Sequence, residues 1–252
     1  MIFSANAASP ASTNMGAFFD IDGTLLPAPS LEWRFASYLL ARDEIRGMNI
    51  ARWLAHRATA LLLTPRVFLE ADKCYLANLR ESFAADWESS LAIDSHAADS
   101  LLFFTAGIER ISWHLAQGHR VFFISGTLAP LARVIAKHFR GAVGVCATEL
   151  EVRDERWTGK LAGEHLSGVA KVRAIRSLAW KHDFSLACSY AYGNDVTDGP
   201  MLNVVGHAVA VNPSKHLACL AEDRGWQVRK WAGLQATRDK NSARLIPAKE
   251  TR

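Results

Sequence analysis

The chain has 252 residues, half of them hydrophobic and eight of them Trp, enough for one large domain or a core domain with an insert. Its formal charge of +4 is uneven, because residues 224–252 hold eight Lys/Arg against Asp239 and Glu250, a net of +6, and the remainder is at −2. The body of the protein is therefore not basic and no nucleic-acid partner is expected. Cys74, Cys146, Cys188 and Cys219 show no C-x-x-C pair or zinc spacing, which argues against a disulfide framework and for four buried thiols in a reducing cytoplasm.

Residues 1–14 are rich in Ala, Ser and Asn and lack the basic start and long apolar core of a secretory leader. They are expected to be a disordered lead-in. Beyond them, short apolar runs alternate with amphipathic segments, the pattern of parallel β/α units. Strands are predicted at Ala17–Asp20, Arg120–Ile124, Ala142–Ala147, Ser185–Tyr192 and His207–Val211, with a weaker one at Trp226–Val228. Helices are predicted at Gly107–Gln117, Leu128–Phe139, Val169–His182, Asp198–Val204 and Ser214–Asp223, with Gly118, Gly141 and Gly225 at their ends. Leu150–Leu161 reads as a β-hairpin around Arg153-Asp154-Glu155-Arg156.

Between Thr24 and about Thr105 no strand-like run is found. Leu31–Arg42, Asn49–Leu63 and Arg66–Ala85 carry apolar residues at three- and four-residue spacing and are predicted helices, divided by Pro27, Pro29, Gly47 and Pro65. The most apolar stretch, Ala58–Leu63, is far too short to span a bilayer, so no transmembrane segment is expected. The fold expected is α/β: a parallel sheet flanked by helices, in 15–27 and 106–232, with an all-helical cap, 28–105, inserted after strand 1. Such an insert is placed to exclude water and choose substrates. Residues 233–252 are expected to be a basic C-terminal tail.

Four stretches carry chemistry. In Phe18-Phe19-Asp20-Ile21-Asp22-Gly23-Thr24, two carboxylates stand two residues apart where a buried strand breaks into a turn. Ligand sites of open parallel sheets lie outside such strand ends. Two carboxylates there imply a cation, a shared proton or a reaction, and a phosphate ester with Mg²⁺ satisfies both. One Asp would attack phosphorus while the other moves a proton. Val121–Thr127 is a strand ending in Ser125-Gly126-Thr127, which would place a hydroxyl and backbone N–H groups on phosphate oxygens, or serve as an ordinary helix cap. Lys171, at the start of an amphipathic helix, would neutralise Asp20 and a transferring phosphoryl group. Finally, Tyr190–Leu202 delivers Asn194, Asp195 and Asp198 on a Gly turn, oxygen donors suited to Mg²⁺.

These four pieces, in this order, resemble the haloacid dehalogenase-like superfamily, whose phosphatases carry D-x-D-G-T, a strand-end Ser/Thr, a Lys and a terminal acidic loop. The resemblance runs from about Ala17 to Trp231 and looks closest to the phosphoserine-phosphatase-like branch with a helical cap between the first two motifs. It implies a Rossmann-like sheet and a Mg²⁺-dependent phosphatase of small phosphorylated metabolites, in the cytoplasm. It makes Asp20 the nucleophile that forms an aspartyl-phosphate and Asp22 the acid and base. Thr24, Ser125, Gly126 and Lys171 become phosphate-binding candidates, and the metal candidates are Asp20, Asp22, Asn194, Asp195 and Asp198. The family's first loop aspartate is Asn194 here, so weaker metal binding is expected, with Asp195 the alternative ligand. In phosphoserine phosphatases a cap Glu about nine residues after the nucleophile meets the substrate amine. That position is Pro29, with Glu32 three residues on, so phosphoserine is not assigned. Glu32, Arg34 and Lys73 are polar cap candidates for substrate. Phosphotransfer to an acceptor other than water, or a binding protein weakened in catalysis, are the alternative readings.

Overall fold

The structure, a computed structural model, describes residues 14–51, 53–55, 73–93, 102–140 and 142–236. All of the expected lead-in but Asn14, whose carbonyl accepts from the Ser185 N–H, lies outside the described residues, as do Ala58–Leu63, Gly141, the tail beyond 236, most of Asn49–Leu63 and the first part of Arg66–Ala85.

Strands β1 (Gly16–Phe19), β3 (Arg120–Leu128), β4 (Val143–Thr148), β7 (Tyr190–Gly193), β8 (His207–Val211) and β9 (Gln227–Arg229) form one six-stranded sheet in the order β4-β3-β1-β7-β8-β9. Every pairing in it is parallel. The chain leaves β1 toward β3 and β4 on one side and returns to β7 on the other, so the strand order reverses at β1. A crevice opens at such a reversal, outside the carboxyl ends of the strands. The fold is the α/β parallel sheet flanked by helices that the pattern predicts.

Period-two alternation sends neighbouring side chains to opposite faces. Phe19 packs with Phe123, Tyr192 and Val209 on one face, Phe18 with Phe122, Ala191 and Ala208 on the other. Phe19 stacks on Tyr192 with centroids 4.3 Å apart. Truncating either Phe18 or Phe19 would cost about 3–5 kcal/mol by loss of packing in a closed core. The helix Val169–His182 covers the Phe18 face and the helix Thr105–Ala116 the Phe19 face.

Helical elements fill much of the described interval after β1: Leu31–Ala41, residues 47–51 and 53–55, a 3₁₀ turn at Cys74–Leu76, and Phe83–Ile93. Leu31, Phe35 and Leu39, one helical face, join the Phe19 cluster together with Trp87. The hairpin of β5 (Leu150–Arg153) and β6 (Arg156–Leu161) braces this layer. Its Trp157 meets Phe35 edge to face and exchanges backbone hydrogen bonds with Asn78 and Leu79. The hairpin turns at Asp154 and Glu155, both with positive φ (50° and 58°), as a two-residue turn matched to strand twist requires.

Several boundaries depart from expectation. The helix predicted over Arg66–Ala85 is not continuous: 73–82 is a 3₁₀ turn and loops, and the helix starts at Phe83. A strand does occur before Thr105, β2 (Leu102–Phe104), paired antiparallel with β10 (Leu234–Ala236), so the start of the predicted tail is a strand. Three residues are too few to show alternation. Ser185–Tyr192 is a strand only from Tyr190, after a 3₁₀ turn at Leu186–Cys188. β3 runs on through the Ser-Gly-Thr stretch to Leu128, with a register shift between Ser125 and Leu128. The cysteines are free, but they are not all buried: Cys219 is exposed and the other three are half-buried. Leu217 and Ala221 turn their helix face to the sheet, which leaves Cys219 outward. No helix among the described residues is long and apolar enough to cross a membrane.

Candidate active site

The carboxyl ends of β1, β3 and β7 open into one cavity of about 710 Å³. Asp20, Asp22, Ser125, Gly126, Lys171, Asn194, Asp195 and Asp198, all predicted from sequence, line it. Thr24 is buried beside them and donates long hydrogen bonds, 3.4 Å each, toward Asp20 Oδ2 and Asn194 Oδ1. A hydroxyl has one proton, so it serves only one of these oxygens at a time.

Asp20 follows the last β1 residue, and its N–H donates to the Tyr192 carbonyl at 2.9 Å, which fixes the strand end against β7. Lys171 Nζ donates to Asp20 Oδ1 and to Asp198 Oδ1, each at 2.7 Å, with all three side chains almost fully buried. Asp198 Oδ2 accepts from the N–H groups of Asn194 and Asp195 at 3.0 and 3.1 Å. Both Asp198 oxygens are thus engaged. Asp195 Oδ1 accepts from the Thr197 N–H and hydroxyl, each at 3.1 Å, and caps the short turn that follows.

Two glycines are required by this packing. Gly23 has φ of 81°, and a Cβ there would stand 2.1 Å from Asn194 Nδ2. At Gly193 a Cβ would lie 2.5 Å from the Asp198 Cβ. The D-x-D-G turn and the acidic loop therefore touch through a space that only glycine leaves open.

Burial dominates the electrostatics. It raises Asp20 to about 7, against the opposing pull of Lys171, and nearby Asp198 and Asp22 add to the rise. It raises Asp22 to about 6, opposed by the Leu31 N–H, which donates to Asp22 Oδ1 at 2.7 Å. Burial also works against the Lys171 charge, yet Asp198 and Asp20 outweigh it and hold the ammonium above its usual range. Three carboxylates around one ammonium leave excess negative charge in a closed space, which a cation relieves. Among the described residues no cluster of three or more His, Cys, Asp or Glu side chains forms a metal centre. A donor set of Asp20, a main-chain carbonyl and the Asn194 amide oxygen would not count as one, and it is the hard-oxygen set that Mg²⁺ takes.

Ser125 is buried, and its Oγ accepts from the Thr127 N–H at 3.3 Å. The Thr127 hydroxyl, buried at the cavity edge, has no hydrogen-bond partner among the described residues. Its place in the Ser-Gly-Thr stretch was visible, but nothing local marks which hydroxyl stays unsatisfied. Tyr75, His165 and Ser167 also line the cavity and carry no motif that would announce them. Of the polar cap candidates, Glu32 and Lys73 face the cavity. Arg34 instead donates to the Pro27 and Pro29 carbonyls and holds the loop between β1 and the first helix.

The model of the haloacid dehalogenase-like hydrolase family matches residues 17–203. A putative hydrolase of Mycobacterium leprae is 33% identical over 227 residues, covering 87% of this chain and 74% of that protein. A Mycobacterium tuberculosis protein named as a phosphoserine phosphatase is 33% identical over 229 residues, covering 87% and 72%. Among solved structures, a Bordetella pertussis protein of unknown function has a TM-score of 0.69 at 28% identity, covering 86% of this chain and 98% of that one. A probable phosphoserine phosphatase of Vibrio cholerae, at 16% identity and a TM-score of 0.62 over 87% and 62% of the two chains, shares the fold. The family match spans every cavity residue from Asp20 to Asp198, and the protein belongs to the haloacid dehalogenase-like hydrolases, in their phosphoserine-phosphatase-like branch of phosphoric monoester hydrolases.

Proposed function

We propose that the protein hydrolyses a small-molecule phosphomonoester with Mg²⁺, through an aspartyl-phosphate on Asp20. The observation that carries this reading is the Lys171 ammonium, held 2.7 Å from both Asp20 and Asp198 on the floor of the cavity. It fixes one Asp20 oxygen and leaves Oδ2 toward the Thr24 and Asn194 side.

In the first step Asp20 Oδ2 attacks phosphorus, the bond from phosphorus to the ester oxygen breaks, and Asp22 gives its proton to the departing alkoxide. A carboxyl raised to about 6 keeps a protonated fraction near neutral pH, and the Leu31 N–H holds its orientation. In the second step Asp22, now a carboxylate, takes a proton from water as that water attacks phosphorus. Asp20 and inorganic phosphate are released. Ser125, the Thr127 hydroxyl, which has no partner among the described residues, the Gly126 backbone and Lys171 would bind phosphoryl oxygens.

Asp20, the main-chain carbonyl of Asp22 and the Asn194 side chain would hold Mg²⁺, with Asp195 the alternative to Asn194. Bound there, the ion screens Asp20 from the anionic phosphate that it must approach. Asp198, with both oxygens engaged, reads as a positioning residue for Lys171 and the loop. The test is release of phosphate from an aryl phosphate with and without Mg²⁺, in the protein and in Asp20→Asn. We expect Mg²⁺-dependent release that the variant lowers by at least ~10⁴-fold. A folded protein silent over a broad substrate and metal panel, or full activity in Asp20→Asn, contradicts the proposal.

A further inference from the structure

The helix Leu31–Ala41 has two apolar faces, and only one is needed for folding. Leu31, Phe35 and Leu39 are fully buried in the core. Trp33, Ala36 and Leu40, spaced i, i+3, i+7, form a second stripe that faces the cavity. Trp33 is 65% and Leu40 46% exposed, where a surface helix ordinarily turns polar residues outward. Ile45, Ile50 and Trp53 continue this stripe along the same wall.

Between that wall and the phosphate end stands a polar belt. Lys73 Nζ donates to both Glu32 oxygens at 2.7 Å, and Tyr75 OH donates to Glu32 Oε1 at 2.5 Å. Lys73 is buried, so the Glu32 charge is already matched within the belt. An ammonium on the substrate would have to displace Lys73 to find its counter-ion. Uncharged hydroxyl or ester groups would meet the belt without breaking the pair. A cavity of about 710 Å³ is also the size that encloses a drug-sized ligand, well beyond a phosphorylated amino acid.

We infer that the substrate is an amphiphilic phosphomonoester: a phosphate, a short uncharged polar linker, and an extended alkyl chain seated on Trp33, Leu40, Ile50 and Trp53. This rests on the phosphatase reading and specifies its substrate class. The phosphate sits over Asp20 beside Lys171, the linker passes Glu32 and Tyr75, and the chain lies along the second stripe of the helix.

The test is a series of ethyl, butyl, hexyl and octyl phosphates, each kept below its micellar concentration, with phosphoserine alongside. The expected result is a kcat/KM rising about threefold per methylene to octyl, from burial of successive CH₂ groups. Phosphoserine falls below butyl phosphate. Trp33→Ala and Leu40→Ala, at exposed positions that the fold does not need, each lower the octyl-to-ethyl ratio at least fivefold. Binding of octylphosphonate and ethylphosphonate, read by tryptophan fluorescence, gives the same contrast without turnover, with octyl tighter by about 700-fold over six methylenes. A turnover series flat in chain length, or a ratio unmoved by both variants, overturns the amphiphile and leaves the phosphatase standing. No turnover of any ester, with octylphosphonate still preferred, overturns the phosphatase reading alone; no preference in either assay overturns the inference.

Discussion

The floor of the cavity is a closed charge network, with Lys171 bonded to two buried carboxylates at 2.7 Å, whereas the wall formed by the helix Leu31–Ala41 joins one partly exposed ion pair to an open apolar stripe. On the floor both Asp198 oxygens are engaged, Gly23 lets the D-x-D-G turn reach Asn194, and Gly193 lets the acidic loop close on Asp198. On the wall, Trp33 and Leu40 lean into open space with room for a ligand of varied length. On the function and substrate class proposed above, the difference separates two tasks. Transfer of a phosphoryl group needs atoms held to tenths of an ångström, and choosing an alcohol needs only an apolar surface of suitable extent.

The contrast is broken most readily by deleting one cation from each region. Lys171→Met leaves Asp20 and Asp198 facing each other without a counter-ion, and should cost about 3–5 kcal/mol in metal-free denaturant unfolding at pH 8. Lys73→Met strands a single carboxylate, 22% exposed and still bonded by Tyr75, and should cost about 1–2 kcal/mol. Equal losses would erase the distinction between floor and wall.

A second test addresses the layer beneath the floor. His114 is fully buried, with Nε2 2.9 Å from Tyr192 OH and Nδ1 2.8 Å from His119 Nδ1. Burial, with smaller effects from His119 and Arg110, lowers its pKa to about 3. The folded state therefore favours neutral His114, and that stability is complete above the unfolded value near 6.5 and is lost as pH falls toward 3. His114→Gln should lose about 1–2 kcal/mol at pH 7.5 and show a shallower decline between pH 6.5 and 4. An unchanged acid limb would assign the decline to other groups.

Smaller effects sharpen the picture at the loop and at the edge. Asn194→Asp restores a formal charge and should lower the Mg²⁺ concentration for half-maximal activity by roughly tenfold; an unchanged requirement would point to Asp195. Glu155→Gly, at φ 58° in the hairpin turn, should raise stability by about 0.4–1 kcal/mol by relieving a left-handed backbone. A loss there would show that the Glu155 side chain contributes more than its backbone costs.

The floor was legible in the sequence because each piece is local: Asp20 and Asp22 share a turn, Ser125 ends a strand, and Asn194 to Asp198 sit in one loop. What no local pattern carries is the joining of pieces. The pairing of Lys171 with Asp20 was expected from the order of the motifs, but that one ammonium bonds Asp20 and Asp198 at once, 151 and 27 residues away, is geometry that the fold supplies. The same holds for β2 and β10, three residues each and far apart in the chain, and for the break in Arg66–Ala85, where 3.6-residue spacing is overridden by docking of 78–81 against the hairpin. On the wall, Trp33 and Leu40 looked like ordinary members of an amphipathic helix. Their outward direction became visible only once Phe35 and Leu39 were seen to fill the core.

The proposed chemistry requires Asp20 to carry the phosphoryl group during turnover. Acid quenching with a labelled phosphomonoester and Mg²⁺, followed by proteolysis and mass spectrometry, reads this directly. A hydroxylamine-labile phosphoryl group is expected on Asp20, absent in Asp20→Asn and absent without Mg²⁺. Turnover at full rate with Asp20 never labelled, or with the label on another side chain, would contradict it.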